Sequence, residues 1–161
     1  MGYKKLFLAS YLDSLQIKGR YAFTREEAMA ALGCSQDAFR FAALRLIRKK
    51  RLARPKQGFY VVVPTEYKEV GMLPAAWFID SFMRFCGQPY YVGLLSAAAL
   101  YGAAHQASQV FQVVTNKPLR VVAVGSQQLQ FFTKKSITPT SYQLLKTATG
   151  YMQVSLPEVT A

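Results

Sequence analysis

A chain of 161 residues suits one ordinary domain or two small ones, and its 52% hydrophobic content excludes a disordered protein. The formal net charge of +12 points to a polyanionic partner. The two cysteines, Cys34 and Cys86, form no CxxC pair and have no histidine pair nearby, which excludes a disulfide framework and a zinc site. No apolar run approaches the roughly 20 residues of a membrane span. We therefore expect a cytoplasmic protein without membrane contact.

The positive charge is concentrated in the first part of the chain. Residues 1–63 carry 13 Lys and Arg against 4 Asp and Glu, a net of +9, whereas residues 64–161 carry 7 against 4, a net of +3. Residues 40–56 contain eight basic side chains and no acid. Because a solvated helix face usually mixes both signs, this cluster favours phosphate binding over a merely soluble surface.

Two helices are predicted at the start of the chain. The first covers residues 3–15 and ends before Gly19. Its buried stripe has the spacing i, i+1, i+4, i+5 and i+8: Phe7, Leu8, Tyr11, Leu12 and Leu15. Thr24 caps the second helix, with Glu27 placed to close a capping box. This helix stops at Gly33 and is predicted to bury Ala28, Ala31 and Leu32.

A third helix and a hairpin complete this region. Ser35 caps a helix that runs to about Lys50. Its predicted core face consists of Phe39, Ala42, Ala43, Leu46 and Ile47. Residues 52–55 and 59–63 are typical of two strands, joined by a turn in which Gly58 supplies a positive φ. Helix, helix, turn, longer helix and basic hairpin is the order of a winged helix-turn-helix, which we predict over residues 1–63.

In such folds the third helix enters the major groove. The side chains predicted to contact DNA are Ser35, Gln36, Arg40, Arg45, Arg48, Lys49, Arg51, Arg54 and Lys56. Gln36, Arg40 and Arg45 are assigned to bases, because Gln and Arg pair bidentately with adenine and guanine. The other basic residues of the helix and its C-terminal end are assigned to phosphates, which position without specifying. Arg54 and Lys56 on the wing are assigned to the backbone or the minor groove.

Two apolar residues, Phe41 and Leu44, lie on the same predicted DNA face. They either contact thymine methyl groups or pack on a second domain. Packing is favoured slightly, because bulky apolar groups would otherwise lie in water.

The second half, residues 64–161, is predicted to be a separate α+β unit. After a polar connection, Pro74 begins a helix over residues 75–86. The apolar side of this helix consists of Trp77, Phe78, Phe82 and Phe85. A helix of small residues over 94–104 is followed by five strand-like segments, at residues 110–115, 119–124, 129–133, 142–147 and 151–155. Helices followed by strands indicate an α+β fold.

Residues 64–161 contain no recognisable catalytic pattern. There is neither a phosphate-binding glycine motif nor a nucleophile elbow, and the acids do not form a nuclease pattern. A packed or surface position is favoured for the lone His105 over a catalytic one. We therefore predict no catalytic residues, no cofactor and no metal site. Lys134, Lys135 and Lys146 either extend a basic surface or simply solvate strand ends.

Several segments of the chain resemble AbiEi-type antitoxins of type IV, abortive-infection toxin–antitoxin systems. The longest is QPYYVGLLSAAALYGAAHQ at residues 88–106, followed by VFQVVT at residues 110–115. Shorter matches are WFID at residues 77–80, FFT at 131–133, GY at 150–151 and SLPE at 155–158. The resemblance therefore spans nearly the whole chain.

This resemblance implies an N-terminal winged helix that binds operator DNA, with inverted repeats, and represses its own operon. A homodimer or cooperative binding would match such repeats. It implies a C-terminal domain that counters a nucleotidyltransferase-like toxin without a stable complex, with Lys134, Lys135 and Lys146 as its candidate surface. The family motif that begins at Ser155 runs on into further helices, so we expect the C-terminal domain to be incomplete here.

Two alternatives remain open at the level of sequence. The first is a plain winged-helix transcription factor whose C-terminal half senses a ligand or dimerises. The second is an enzyme fused to a DNA-binding module, which lacks the acids and motifs it would need.

Overall fold

The computed structural model describes residues 7–69, 71–93, 96–97 and 110–156. The chain divides into two compact units, Met1–Leu73 and Pro74–Ala161, called here the N-terminal and the C-terminal unit. The fold is α+β. The segment after residue 63 contains a short 3₁₀ turn, Thr65–Tyr67, and ends in buried Met72 and Leu73.

The N-terminal unit is a winged helix-turn-helix. Its elements in chain order are α1 (Leu8–Ile17), β1 (Ala22–Thr24), α2 (Arg25–Leu32), α3 (Gln36–Arg48), β2 (Leu52–Lys56) and β3 (Phe59–Val62). The three strands form an antiparallel sheet in the order β1-β3-β2. The short strand β1 was not predicted, because its three residues gain their strand geometry from pairing with β3, some forty residues later.

Aromatic rings connect the helices of this unit to its sheet. Tyr60 of β3 contacts Phe39 of α3 edge-on, with 5.2 Å between centroids, and stacks on Phe23 of β1 at 5.6 Å. Phe23 in turn meets Tyr11 of α1 edge-on at 5.5 Å. Such pairs add to the stabilisation that comes from burying the rings. The same chain of contacts fixes the orientation of α3 relative to the hairpin.

Both predicted N-caps are confirmed. The Thr24 hydroxyl accepts a hydrogen bond from the Glu27 backbone N–H at 3.1 Å, and the Ser35 hydroxyl accepts one from Ala38 N–H at 3.2 Å. The Glu27 carboxylate pairs with Arg20 instead of completing a predicted capping box, at 3.1 Å. Gly33 ends α2 in the left-handed conformation, as predicted.

Two core assignments in the N-terminal unit were wrong. Phe7 is 66% exposed, because it occupies the extended N-cap position that precedes α1 and so lies off the buried stripe. Leu32 is half-buried and packs against the core, as predicted, whereas Ala31 is exposed. The reason is that α2 is only eight residues long and buries a single side chain, Ala28.

In the part of the C-terminal unit that the structure describes, helix α4 accompanies a six-stranded sheet. The predicted helix over 75–86 is divided into a 3₁₀ turn, Ala75–Trp77, and α4 (Ile79–Cys86), because Phe78 between them departs from helical geometry (φ −131°). Phe85 is 36% exposed, so the predicted apolar side of this helix is narrower than the sequence indicates.

The strands of the C-terminal unit are β4 (Tyr90–Val92), β5 (Val110–Thr115), β6 (Val122–Val124), β7 (Gln127–Thr133), β8 (Tyr142–Thr147) and β9 (Gly150–Ser155). Their order in the sheet is β6-β7-β5-β4-β9-β8. The pairs β4–β9 and β5–β7 are parallel, and the others are antiparallel. All five predicted strands are present. The buried strand β4 was not predicted.

Two predicted features fall largely outside the described residues. Of the helix predicted over residues 94–104, only Ser96 and Ala97 are described; both are helical and buried. His105 lies outside the described residues.

Candidate nucleic-acid interface

The outer face of α3 carries most of the predicted DNA-binding side chains. The helix buries Phe39, Ala43 and Leu46 against the core. At 100° per residue the opposite face carries Asp37, Phe41, Arg45 and Arg48, with Arg40 and Leu44 beside them. All of these except half-buried Leu44 are exposed, as are Ser35 and Gln36 in the first turn. We call Arg40, Phe41, Arg45 and Arg48 the recognition face.

No arginine of this face forms an ion pair within residues 7–69, although exposed Asp37 lies in the first turn of the same helix. Within residues 7–69, the ion pairs are Arg20–Glu27, Arg25–Glu26 and Arg51–Asp13, and none involves an arginine of α3. Three guanidinium groups on one helix face therefore repel one another in the free protein. This repulsion would be relieved by a polyanion.

Arg51 has a structural role that the sequence analysis missed. Its guanidinium lies 3.2 Å from the Asp13 carboxylate of α1, and its backbone carbonyl accepts a hydrogen bond from Val63 N–H at 2.9 Å. The pair is solvent-exposed and its contribution to stability is correspondingly small. It nevertheless links α1 to the segment between α3 and the wing, so the predicted phosphate contact of Arg51 stays a prediction alongside this role.

The end of α3 is a Schellman motif with a lysine where glycine is usual. Lys50 N–H donates to Ile47 O at 3.0 Å, and Arg51 N–H donates to Leu46 O at 2.9 Å. This geometry requires a left-handed residue, and Lys50 has φ +58°, the only positive φ of a non-glycine residue among those described. Helix α1 ends with the same bonds around Gly19 (φ +72°). The sequence predicted a helix to Lys50, but α3 ends at Arg48.

The wing is the β2–β3 hairpin, and it carries exposed Arg54 and Lys56. The register shifts between Ala53 and Lys56, which bends the edge strand and redirects its side chains. Gly58 forms the turn with φ +85°, and its carbonyl accepts a hydrogen bond from Arg25 N–H at 2.9 Å. The tip of the wing is thereby tied to the start of α2.

Phe41 and its neighbour Arg40 form a cation–π pair. The Arg40 guanidinium carbon lies 5.5 Å from the centroid of the Phe41 ring. The sequence favours packing of Phe41 on a second domain; in the structure 58% of this residue is exposed, whereas Leu44 is half-buried.

Comparison with protein families accounts for both units. Residues 10–63 match the model described as a transcriptional regulator, AbiEi antitoxin, and residues 91–161 match the AbiEi antitoxin C-terminal domain. The chain belongs to the AbiEi antitoxin family. The resemblance in the sequence is thus confirmed, and with it the general role of a transcriptional regulator and antitoxin. Neither description is that of an enzyme. No curated protein matches the chain.

The AbiEi C-terminal domain does not bring its three candidate lysines into one cluster. Lys134, Lys135 and Lys146 are all exposed. Lys134 and Lys135 follow β7, whereas Lys146 lies on β8, four strand positions away in the sheet. At about 4.8 Å per strand this separation is about 19 Å. The three lysines therefore lie at two different places on the sheet.

A buried tyrosine organises a polar network in the same unit, and sequence reasoning missed it. The Tyr90 hydroxyl donates to Asp80 Oδ1 at 2.8 Å and accepts from the Gln153 backbone N–H at 3.1 Å. Asp80 Oδ2 pairs with Arg84 at 2.9 Å. Burial, with the Asp80 carboxylate adding to it, raises the pKa of Tyr90 well above its ordinary 10.0, although the Gln153 hydrogen bond opposes the shift.

This network borders a cavity of about 360 Å³ whose walls include Trp77, Asp80, Arg84 and Tyr151.

Among the described residues, no helix is long and apolar enough to cross a membrane. No group of three His, Cys, Asp or Glu side chains in the described ranges could hold a metal ion.

Proposed function

We propose that this AbiEi antitoxin binds the operator of its own operon through residues 1–63 and represses transcription. Residues 64–161 then counter a nucleotidyltransferase-like toxin, as in a type IV toxin–antitoxin system. The observation that supports DNA binding best is the recognition face, which holds three arginines without a carboxylate partner among the described residues. The predicted contacts of Ser35, Gln36, Lys49, Arg51, Arg54 and Lys56 belong to the same proposal.

The geometry of α3 suits the major groove. A helix fits into this groove, and Arg45 can donate two hydrogen bonds to guanine O6 and N7. Arg48 and Lys49 lie near the C-terminal end of α3, where they can reach phosphates. Arg54 and Lys56 extend the basic surface onto the wing, at a second point along the duplex.

The conformation of Lys50 supports the same conclusion. A left-handed conformation costs a non-glycine residue on the order of 1–2 kcal/mol, and glycine would fit there without this cost. A lysine at this position adds a charge at the C-terminal end of α3 at the expense of stability. Such strain is typical of functional positions.

Salt dependence tests the DNA-binding part of the proposal. Binding of the whole chain to the DNA upstream of its own gene is measured by fluorescence anisotropy over a range of salt concentrations, with a scrambled duplex as control. We expect log Kobs to fall linearly with log salt, with a slope of about −0.9 per phosphate contact. Equal affinity for both duplexes at every salt concentration would contradict operator recognition.

Footprinting of the same DNA tests the expected inverted repeats and cooperative or dimeric binding. Protection of two half-sites about 34–36 Å apart along the helix axis is expected for two copies that read one face of the duplex. A single asymmetric site would count against two-copy binding.

Co-expression tests the antitoxin part. A toxin-like gene adjacent to this one is induced with and without this chain, and growth is followed. Rescue is expected, and pull-down of the two proteins should recover no stable complex. Another AbiEi antitoxin, expressed with its own toxin, serves as positive control.

The alternative is a plain transcription factor whose C-terminal unit senses a ligand. The cavity beside Asp80 and Arg84 is the observation that favours it, because its aromatic and charged walls suit a small polar molecule. A ligand that shifts operator affinity, together with failure to rescue growth, would favour this function over the antitoxin.

A further inference from the structure

Phe41 lies at the centre of the recognition face. It is directly opposite the buried side of α3, with Asp37 and Arg45 one turn away on either side. More than half of its surface, 58%, is exposed. A phenyl ring in water forgoes the stabilisation that burial provides. A partner surface that is negatively charged and yet has local apolar groups would meet both the ring and the surrounding arginines.

The pair with Arg40 restricts what that partner can be. The Arg40 guanidinium lies beside the Phe41 ring, at 5.5 Å, and both residues are exposed. The contact limits the conformations of the guanidinium before binding, so less side-chain freedom is lost when it forms hydrogen bonds. The Phe41 ring and the N–H donors of the Arg40 guanidinium group are thus presented together to a partner.

The major groove of DNA offers the matching pair of groups. Its characteristic apolar group is the C5-methyl of thymine, and guanine presents two acceptors, O6 and N7, to one arginine. We propose that Phe41 and Arg40 together read a thymine next to a guanine. The ring packs on the thymine methyl while Arg40 donates to guanine. This inference rests on the proposed entry of α3 into the major groove.

A second copy of the chain is the competing occupant of this surface. It would have to place an apolar surface among Arg40, Arg45 and Arg48, which no acid of residues 7–69 neutralises through an ion pair. Bringing two such faces together would raise the like-charge repulsion. The charges therefore favour DNA over self-association at Phe41.

Base analogues test the inference one group at a time. The probe is the duplex that the whole chain selects from a random pool, with each thymine replaced in turn by deoxyuridine, which removes only the methyl group. At one thymine position we expect wild-type affinity to fall about fourfold, the effect of one buried methyl group. Phe41→Ala should bind the thymine and uracil duplexes equally well. Phe7→Ala, which truncates another exposed phenylalanine of the same unit, should keep the wild-type sensitivity.

The neighbouring guanine is tested with 7-deazaguanine, which lacks the N7 acceptor. Wild-type affinity should fall about fivefold, and Arg40→Ala should be insensitive to the replacement.

Two results would overturn the inference and leave the proposed function standing. One is sequence-specific binding without a thymine whose methyl group matters, and the other is the same loss of affinity on removal of the methyl group in Phe41→Ala as in wild type. Loss of self-association in Phe41→Ala, measured by sedimentation and without an effect on base sensitivity, would assign the ring to an interface between copies and overturn the inference as well. Absence of any selected sequence would instead contradict the proposed function itself.

Discussion

At the scale of single residues, the basic side chains of the N-terminal unit differ in the contacts that they make within the free protein. Arg51 is paired with Asp13, and Arg40 lies against Phe41. Arg45 and Arg48 have no carboxylate partner among the described residues of this unit. Formal charge alone does not distinguish an arginine that already has an intramolecular contact from one that has no carboxylate partner. Only the first must give up or share a contact when it binds DNA.

Arg45→Ala and Lys56→Ala are expected to weaken operator binding in different ways. Loss of a base contact at Arg45 should cost about 1–3 kcal/mol and relax the preference at one base position. Loss of a phosphate contact at Lys56 should weaken binding to all sequences and reduce the salt slope by about 1. Both follow from titrations of the selected and scrambled duplexes. Unchanged operator affinity in both variants would refute the docking of α3 and the wing.

Tyr90 is a residue whose hydroxyl is fully engaged within the C-terminal unit. Its removal in Tyr90→Phe leaves the Gln153 N–H and one oxygen of Asp80 without this partner. We expect the free energy of unfolding to fall by about 1–3 kcal/mol at neutral pH. Trp77, the single tryptophan of the chain, lies in this unit and reports its unfolding by fluorescence.

The raised pKa of Tyr90 also determines a dependence on pH. Because the folded state holds the phenolic proton more tightly than the unfolded chain, this contribution to stability is fully present below pH 10.0 and is lost as the pH rises above it. Wild type should therefore lose stability more steeply above this pH than Tyr90→Phe. Tyr151→Phe, which removes the hydroxyl of a tyrosine that is 58% exposed, is the matched control for the loss of one hydroxyl group. Identical alkaline profiles for wild type and Tyr90→Phe would contradict this account.

At the scale of elements, local patterns predicted those structures that local interactions determine. The N-caps at Thr24 and Ser35 and the boundaries of β5 and β8 agree with the sequence, since side-chain caps and apolar segments are readable from neighbouring residues. Strands β1 and β4 escaped prediction because each has three residues and depends on a distant partner.

The candidate site follows the same rule. The recognition face could be predicted by turning α3 at 100° per residue about its buried side. The Arg51–Asp13 pair could not, because it joins residues 38 positions apart. Helical periodicity predicts that Phe41 points away from the core, but only the structure shows which side chains lie near it.

The end of α3 provides a prediction at this scale. Lys50→Gly should stabilise the N-terminal unit by about 0.5–1 kcal/mol, because relief of the left-handed strain exceeds the added entropy of the unfolded chain. Lys49→Gly removes the same charge at φ −81° and should destabilise instead. Thermal unfolding followed by circular dichroism measures both. A loss of stability in both variants would show that Lys50 is not strained.

At the scale of the whole molecule, net charge is distributed unequally between the two parts of the chain to which the two functions are assigned. Residues 1–63 hold a net +9 of the total +12. The remaining net +3 lies in residues 64–161, where Lys134 and Lys135 are separated from Lys146 by four strand positions. DNA binding and toxin neutralisation can therefore be altered independently if each uses its own basic residues.

Charge reversal of the C-terminal lysines tests this division of labour in the whole chain. We expect Lys134→Glu with Lys135→Glu, and separately Lys146→Glu, to leave repression of an operator-driven reporter largely intact, because these residues lie outside the winged helix. If the C-terminal unit neutralises the toxin through basic side chains, charge reversal of the lysines that take part should abolish rescue of growth. Lys117→Glu, at an exposed turn of the same unit, controls for net charge. Loss of repression and rescue together, in a variant with the wild-type circular dichroism spectrum, would refute the division and indicate one basic surface that serves both tasks.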